Sequence, residues 1–264
     1  MKVISILFFA CTSLFGHTHY LKKKVLNQSI INEIPKVIHQ IWVGSKPIPE
    51  AYKVYALTAQ RLHPDWDYKL WTDADVEHFS WINKDLFDKA ENPGMKSDIW
   101  RYEILYQFGG IYLDGDVECI RPFDPIQERL QFFAGICDKN SYLVNNGVIG
   151  SIPRSKILED VIVKLKSNIM TQSIDTHSSE FTKVLDSTGP NFFTKIILEN
   201  SDFFKDPRNI IFPYPYFQPT DHHHFGVPQN AKEVYNLKNI CIANHRNGCS
   251  WISDEDLLLL GIKK

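Results

Sequence analysis

At 264 residues the chain has material for one large α/β domain or two small ones. Its 29 Lys and Arg against 31 Asp and Glu leave a net charge of -2, and Lys22-Lys23-Lys24 is a short run rather than a stripe, which excludes nucleic acid as a partner. Aromatic residues make up 13%, many of them in loops beside polar residues, where they can stack on sugars or bases as well as pack.

In chain order, Val3 to Gly16 form an apolar run behind Lys2 that ends abruptly at His17-Thr18-His19. A run this short predicts a signal peptide, or a short N-terminal anchor, over residues 1–16, because crossing a bilayer takes about 20 apolar residues. The protein is then expected to be exported or to lie in the lumen of the secretory pathway, or to associate with a membrane through this segment. Cys119, Cys137, Cys241 and Cys249 remain after it, an even number that suits disulfides and buried thiols equally.

Residues 33–264 are expected to form a single domain. Pro35 to Gly44 reads as a buried strand ending in a Gly turn, followed by a loop marked by Pro47 and Pro49 and a helix from Glu50 to Leu62. A strand at Tyr68 to Trp71 precedes a helix over Asp73 to Asp88. Ile99, Tyr102, Ile104, Leu105, Tyr106 and Phe108 then recur at helical spacing, predicting a helix from Lys96 to Phe108 that Gly109 caps. A short strand, Ile111 to Leu113, comes next. Further strands are expected at Phe132 to Cys137, Val144 to Gly150, Ile210 to Pro213 and Ile240 to Ala243. Helices are expected from Ser155 to Asn168, after the turn Ser187 to Asn191, and from Ser253. The helix after Pro190 could meet an anion at its N-terminus or simply be capped. This alternation implies a mostly parallel, Rossmann-like sheet covered by helices on both faces, with ligands at the carboxyl ends of its strands. Trp42 and Asp114 both fall at such ends, and Asn145-Asn146-Gly147 brings amides to the same rim.

The strand Ile111 to Leu113 delivers Asp114-Gly115-Asp116. In an extended segment the two carboxylates share a face roughly 7 Å apart, where they repel by about 2 to 3 kcal/mol at an effective dielectric near 20. Glu118 is placed to join them. A divalent cation removes that cost. An EF-hand is excluded, because its sixth position would be Cys119 and its twelfth Pro125. Oxygen ligands without thiolates favour manganese or magnesium, which keep positions open for substrate phosphates. A surface turn rich in Asp and Gly is the plainer alternative. Asp98 and Arg101, three apart on the preceding helix, are either a surface ion pair or a pair in which Asp98 accepts from sugar hydroxyls while Arg101 steadies it or meets a phosphate. Asp221-His222-His223-His224 reads as a loop, since consecutive side chains diverge. His245 draws interest only through its place just after a strand.

Three segments resemble the glycosyltransferases with a DXD-containing sugar-binding region, among them yeast initiating α-1,6-mannosyltransferases, capsular polysaccharide synthesis enzymes and, more distantly, the glucosylating domain of large clostridial toxins. They are Pro35 to Gly44, Lys96 to Tyr102 and Gly109 to Asp116, with weaker echoes at Asn145-Asn146, Thr188-Gly189-Pro190 and His245 to Trp251. The resemblance implies a GT-A fold, a nucleotide-sugar donor (UDP- or GDP-hexose), a divalent cation, Mn2+ with Mg2+ as the alternative, and retention of anomeric configuration. The acceptor would be a hydroxyl of a glycan, lipid or protein. By the same resemblance Trp42 stacks on the base, and Asp98 and Arg101 hold the donor sugar. Asp114 meets ribose or sugar hydroxyls, and Asp116 binds the metal. His245 helps Asp114 and Asp116 to close the metal site, and Ser250-Trp251 matches a loop folding over the diphosphate. Asn146 joins the donor-binding residues, and Asp114, Asp116 and Arg101 are the expected catalytic set. Gly115 stands where relatives carry a bulkier residue. A metal-dependent phosphoester hydrolase, or a carbohydrate-binding protein of this fold without turnover, are the competing expectations.

Overall fold

The first strand, β1 (Val37–Trp42), is buried along nearly its whole length, as its run of apolar residues requires. The structure, a computed structural model, describes residues 33–138, 141–172, 179–219, 239–246, 248 and 250–252. The expected N-terminal leader (1–16), the His222 to His224 tract, Cys249 and the helix from Ser253 lie outside the described residues.

β1 is hydrogen-bonded in parallel to β2 (Asp67–Thr72) on one side and to β3 (Gly110–Leu113) on the other. The six-stranded sheet runs β2-β1-β3-β6-β5-β7, with β5 at Phe132–Ile136, β6 at Val144–Ser151 and β7 at Asn209–Phe212. Only β6 is antiparallel to its neighbours, so the mostly parallel α/β sheet expected from the sequence is present. The reversal has a functional consequence: β6 begins at the rim where β1 and β3 end, and Asp114 N donates to Gly147 O at 2.8 Å. Helix α1 (Glu50–Leu62) lies beside the sheet.

Asp73 to Asp88 is not one helix. It divides into α2 (Asp73–Val76) and α3 (Lys84–Lys89). The Glu103 carboxylate accepts from the amides of Ile82, at 2.8 Å, and Asn83, at 2.6 Å, which fixes a turn between the two. A tertiary hydrogen-bond acceptor thus overrides local periodicity. Helix α4 (Pro93–Phe108) begins a turn earlier than expected because Asn92 caps it, accepting from Gly94 N at 2.7 Å.

Gly109 and Gly110 follow α4 with φ of 64° and 96°. A side chain at Gly110 would put Cβ 2.6 Å from the Val37 carbonyl, so the helix-to-strand reversal needs glycine there. His39 seals the same junction. Its Nε2 lies 3.0 Å from Gly109 O and its Nδ1 accepts from Trp71 Nε1 at 3.2 Å, which holds it neutral with the proton on Nε2. Complete burial pushes its pKa down to about 4. A group depressed in the folded state contributes stability above its unfolded value near 6.5, and that contribution is lost as pH falls towards 4. The loss should amount to roughly 3 kcal/mol, and denaturant unfolding between pH 7 and 4 should show a shallower slope for His39→Gln than for the wild type.

Among the described residues, Cys119, Cys137 and Cys241 are buried free thiols, which decides for them between the two cysteine readings. Among the described residues the last strand falls at Ala243–His245, not Ile240 to Ala243, because the amides of Ile242 and Ala243 are drawn to Tyr216 O. This strand, β8, pairs antiparallel with β4 (Val117–Cys119), a strand the sequence did not reveal. Val117 stands opposite His245, which carries the histidine to the acids.

Candidate active site

Helix α4 is buried on most of its sides, so its polar residues must be paired internally. Asp98 and Arg101 are 5% and 4% exposed, which removes the surface-pair reading. Arg101 Nη2 lies 3.0 Å from Asp98 Oδ1 and 3.1 Å from Asp114 Oδ1, so one guanidinium serves two carboxylates. Its Nη1 donates to Asn146 O at 2.7 Å, and its plane rests 4.5 Å over the Tyr112 ring. Asp98 is held from two further directions, by Asn146 Nδ2 at Oδ1 and Thr188 Oγ1 at Oδ2, each at 2.8 Å. Burial pushes the Asp98 carboxyl up to about 6 against the opposing pull of Arg101. The Arg101 guanidinium, whose burial is outweighed by Asp114 and its other neighbours, is raised further and stays a cation. The Tyr102 and Tyr112 hydroxyls, lifted well above their ordinary value by burial, stay donors.

Asp114 and Asp116 meet through a turn rather than along an extended strand. Val117 N donates to Asp114 O at 3.1 Å, closing a four-residue turn around Gly115. Tyr112 OH donates to Asp114 Oδ1 at 2.7 Å. The other oxygen, Oδ2, lies 3.6 Å from His245 Nε2, and Asp116 Oδ1 lies 3.2 Å from the same atom. Gly248 N donates to Asp116 Oδ2 at 2.5 Å. One potential ligand atom from each of Asp114, Asp116 and His245 falls within 4.8 Å of the others. Burial opposes ionisation of both Asp116 and His245, but their mutual attraction prevails, lowering the acid's pKa and raising the imidazole's.

Glu118 does not join the acids. It forms an ion pair with Arg246, because the turn at Gly115-Asp116 breaks the two-residue alternation that would have aligned it. Trp42 sits at the end of β1, donates to Lys46 O at 2.7 Å and meets Tyr52 edge-on at 5.8 Å. Asn146 is turned inward, its amide also donating to Tyr102 OH at 2.9 Å. Ser250 O accepts from Lys46 Nζ at 3.2 Å, and Trp251 stacks on Phe181 at 5.7 Å. Thr188, preceding the helix α5 (Pro190–Glu199), is spent on Asp98 rather than on a free anion.

Four contributors have contacts that the sequence does not signal. Tyr112 looked like ordinary strand filling, Thr188 like a helix entry, and Gln40, which donates to Asp114 O at 3.1 Å, like part of a buried strand. The fourth is Gly147, where an added Cβ would stand 2.6 Å from Asp114 Oδ2 and 2.9 Å from the His245 ring. An Asn-Asn-Gly run at a strand start carries no local signal of that crowding.

Residues 49–133 match the family described as glycosyltransferase sugar-binding region containing DXD motif. That span includes Asp98, Arg101, Asp114 and Asp116, whereas Trp42, Asn146 and His245 lie outside it. The mannosyl phosphorylinositol ceramide synthase SUR1 of Saccharomyces cerevisiae is 33% identical over 67% of this chain and 44% of its own length. An uncharacterized glycosyltransferase of Acanthamoeba polyphaga mimivirus is 28% identical over 83% of this chain and 84% of its own. The chain spans about half the length of the yeast relatives it matches, at 44% for SUR1 and 44% for inositol phosphoceramide mannosyltransferase 3 of Schizosaccharomyces pombe. Among solved structures, the PaToxG glycosyltransferase aligns with a TM-score of 0.49 at 18% identity, over 72% of this chain and 77% of that one.

Proposed function

We propose that this chain, which carries the DXD-containing sugar-binding region of glycosyltransferases, moves a hexose from a nucleotide-diphosphate sugar to an acceptor hydroxyl, with retention and with a divalent cation. The observation that carries this reading is one continuous rim on which the Asp98–Arg101–Asp114 network adjoins the Asp114–Asp116–His245 cluster. A surface turn would have no reason to bury an arginine between two acids beside a histidine.

The donor set fits the cation. Two carboxylates and an imidazole offer hard and borderline ligands, a combination that suits manganese and also accommodates magnesium. Asp114 Oδ1 is committed to Arg101 and Tyr112, which leaves Oδ2 for the cation or a sugar hydroxyl. When bound, the cation would neutralise charge growing on the departing diphosphate.

The remaining roles fall to side chains. Asp98 and Asp114 accept hydrogen bonds from sugar or ribose hydroxyls, and Arg101 keeps both acids charged and aligned. A carboxylate has about four acceptor sites, so Asp98 retains capacity beyond its three partners. Trp42 provides a flat surface for the base, Ser250 and Trp251 close over the diphosphate, and Asn146 positions Asp98 and Arg101. In the transfer, the acceptor oxygen bonds to the anomeric carbon on the face from which the phosphate oxygen leaves, and that oxygen takes the acceptor proton. Fixed donors aimed at developing charge are the largest contribution such a site makes.

The acceptor is a glycan, lipid or protein hydroxyl; relatives named as inositol phosphoceramide mannosyltransferases support a lipid among these. We place the protein in an exported compartment or the secretory lumen, with residues 3–16 as leader or anchor. No helix among the described residues is long and apolar enough to cross a membrane.

The test is a screen of UDP- and GDP-hexoses for manganese-dependent hydrolysis. Cation binding carries its own signature. His245, raised by Asp116 and Asp114, must lose its proton to ligate, so near neutral pH manganese should release protons and bind more tightly as pH rises. His245→Ala should abolish the release measured calorimetrically in buffers of different ionisation enthalpy. Equal release by wild type and variant would remove His245 from the ligand set.

A further inference from the structure

We infer that a cavity of about 300 Å³ between helix α1 and strands β1 and β2 is a hydrocarbon site that receives the alkyl or acyl chain of the acceptor. Its acceptor role rests on the transferase reading above; its affinity for hydrocarbon does not.

The volume lies at the lower end of the range typical of small-molecule sites. Ile41, Ile48, Ala56, Leu57 and Leu70 supply aliphatic wall, and the Trp42 and Tyr52 rings supply aromatic wall. The polar groups that β1 and β2 bring to that wall are already used by the protein, and Gln60 of α1 is exposed to solvent. Gln40 Nε2 donates to Asp114 O at 3.1 Å and its Oε1 accepts from Tyr68 OH at 2.5 Å, while Trp42 Nε1 donates to Lys46 O at 2.7 Å. A nucleobase placed here would bury donors and acceptors against these satisfied groups, at the cost of each unmade hydrogen bond. A hydrocarbon chain incurs no such cost and gains from leaving water. An indole has two faces, so Trp42 can wall this cavity and still serve a base elsewhere.

Position supplies the second argument. Gly115, the residue between the two acids, lines the cavity, and a Cβ built there would stand 3.1 Å from Tyr52 Cδ2. The cavity therefore reaches the turn that holds the reacting groups. On its outer side, Leu57 and Val54 are 53% and 56% exposed and lie three apart on one face of α1, extending the apolar surface outward. Lys53, paired with Glu50 at 2.6 Å, brings charge to the rim. An apolar slot with a charged rim and an inner end at the transfer site suits an amphiphile whose head group carries the acceptor hydroxyl.

The experiment compares n-octyl β-D-glucoside, below its micellar concentration, with methyl β-D-glucoside by tryptophan fluorescence and calorimetry on the full chain. The octyl compound should bind at least about tenfold more tightly, since several methylenes leave water. Ala56→Phe, which fills the cavity, should reduce that preference to about twofold or less while leaving manganese-dependent donor hydrolysis within about twofold. Leu57→Gln, at the exposed rim, should weaken octyl binding severalfold and serves if Ala56→Phe fails to fold. Equal affinity for the two glucosides, an undiminished preference in a folded Ala56→Phe or, where that variant fails to fold, in Leu57→Gln, or displacement of the octyl compound by uridine or guanosine monophosphate would overturn the assignment. An octyl preference without any donor hydrolysis would leave the hydrocarbon site standing and remove the transferase reading.

Discussion

Asp116→Ala should abolish manganese-dependent hydrolysis and transfer of the donor, lowering turnover by about a thousandfold or more, as loss of a main electrostatic element at such a site does. The side chain is 8% exposed, ion-paired with His245 and bonded to Gly248 N. Its removal therefore also leaves the Gly248 amide without this acceptor. The backbone anchor survives, because Arg246 N donates to the Asp116 carbonyl at 3.1 Å rather than to its carboxylate. The cost in stability should stay near 1 to 2 kcal/mol. Asp116→Asn separates the two contributions, since its amide oxygen can still accept from Gly248 but carries no charge. Circular dichroism, urea unfolding and donor hydrolysis on both variants decide the matter, and unchanged turnover in either would refute the role given to Asp116.

Arg101→Met should be the most destabilising single change in the site. It leaves Asp98 and Asp114 facing each other without the guanidinium that lies 3.0 and 3.1 Å from them. Breaking a buried ion pair from one side costs about 3 to 5 kcal/mol, and a shared cation has no second partner to compensate. The deficit should depend on pH. Asp98 already titrates near 6 because of burial, and without Arg101 it is pushed higher. A carboxyl whose folded value stands above its unfolded one binds its proton more tightly in the folded state, so stability falls as pH rises through that range. The variant should therefore be closer to wild type at pH 5 than at pH 8 in urea unfolding. A deficit that is small, or equal at the two pH values, would show that Arg101 does not act as the shared counter-charge.

Much of this architecture was legible in the residues. The parallel arrangement of β1, β2 and β3 follows from alternating apolar runs and helices, and the Gly109-Gly110 stop with the acids just beyond it located the rim. Asp98 and Arg101 were found by spacing, although spacing alone could not say whether the helix face was wet or buried. What stayed hidden depends on contacts distant in sequence. Glu103 breaks the Asp73 to Asp88 helix from 20 residues away, measured at Asn83 N. β4 exists because β8 returns more than a hundred positions later to pair with it, and no local pattern in Val117–Cys119 announces that. Glu118 was misplaced for the same reason, since a two-residue period holds only while the chain stays extended. The roles of Tyr112 and Thr188 are not legible because a hydroxyl that orients a carboxylate looks, in sequence, like any other tyrosine or threonine.

His245 is carried on the two-stranded ribbon, outside the six-stranded sheet that holds the acids' own strand. Architecture and competence are thereby distributed over different stretches of polypeptide. Folding of the sheet alone would present two acids with an open flank, and only the late return of the chain supplies the histidine of the proposed cation site. Anything that peels that ribbon away would disarm the centre while leaving the scaffold intact.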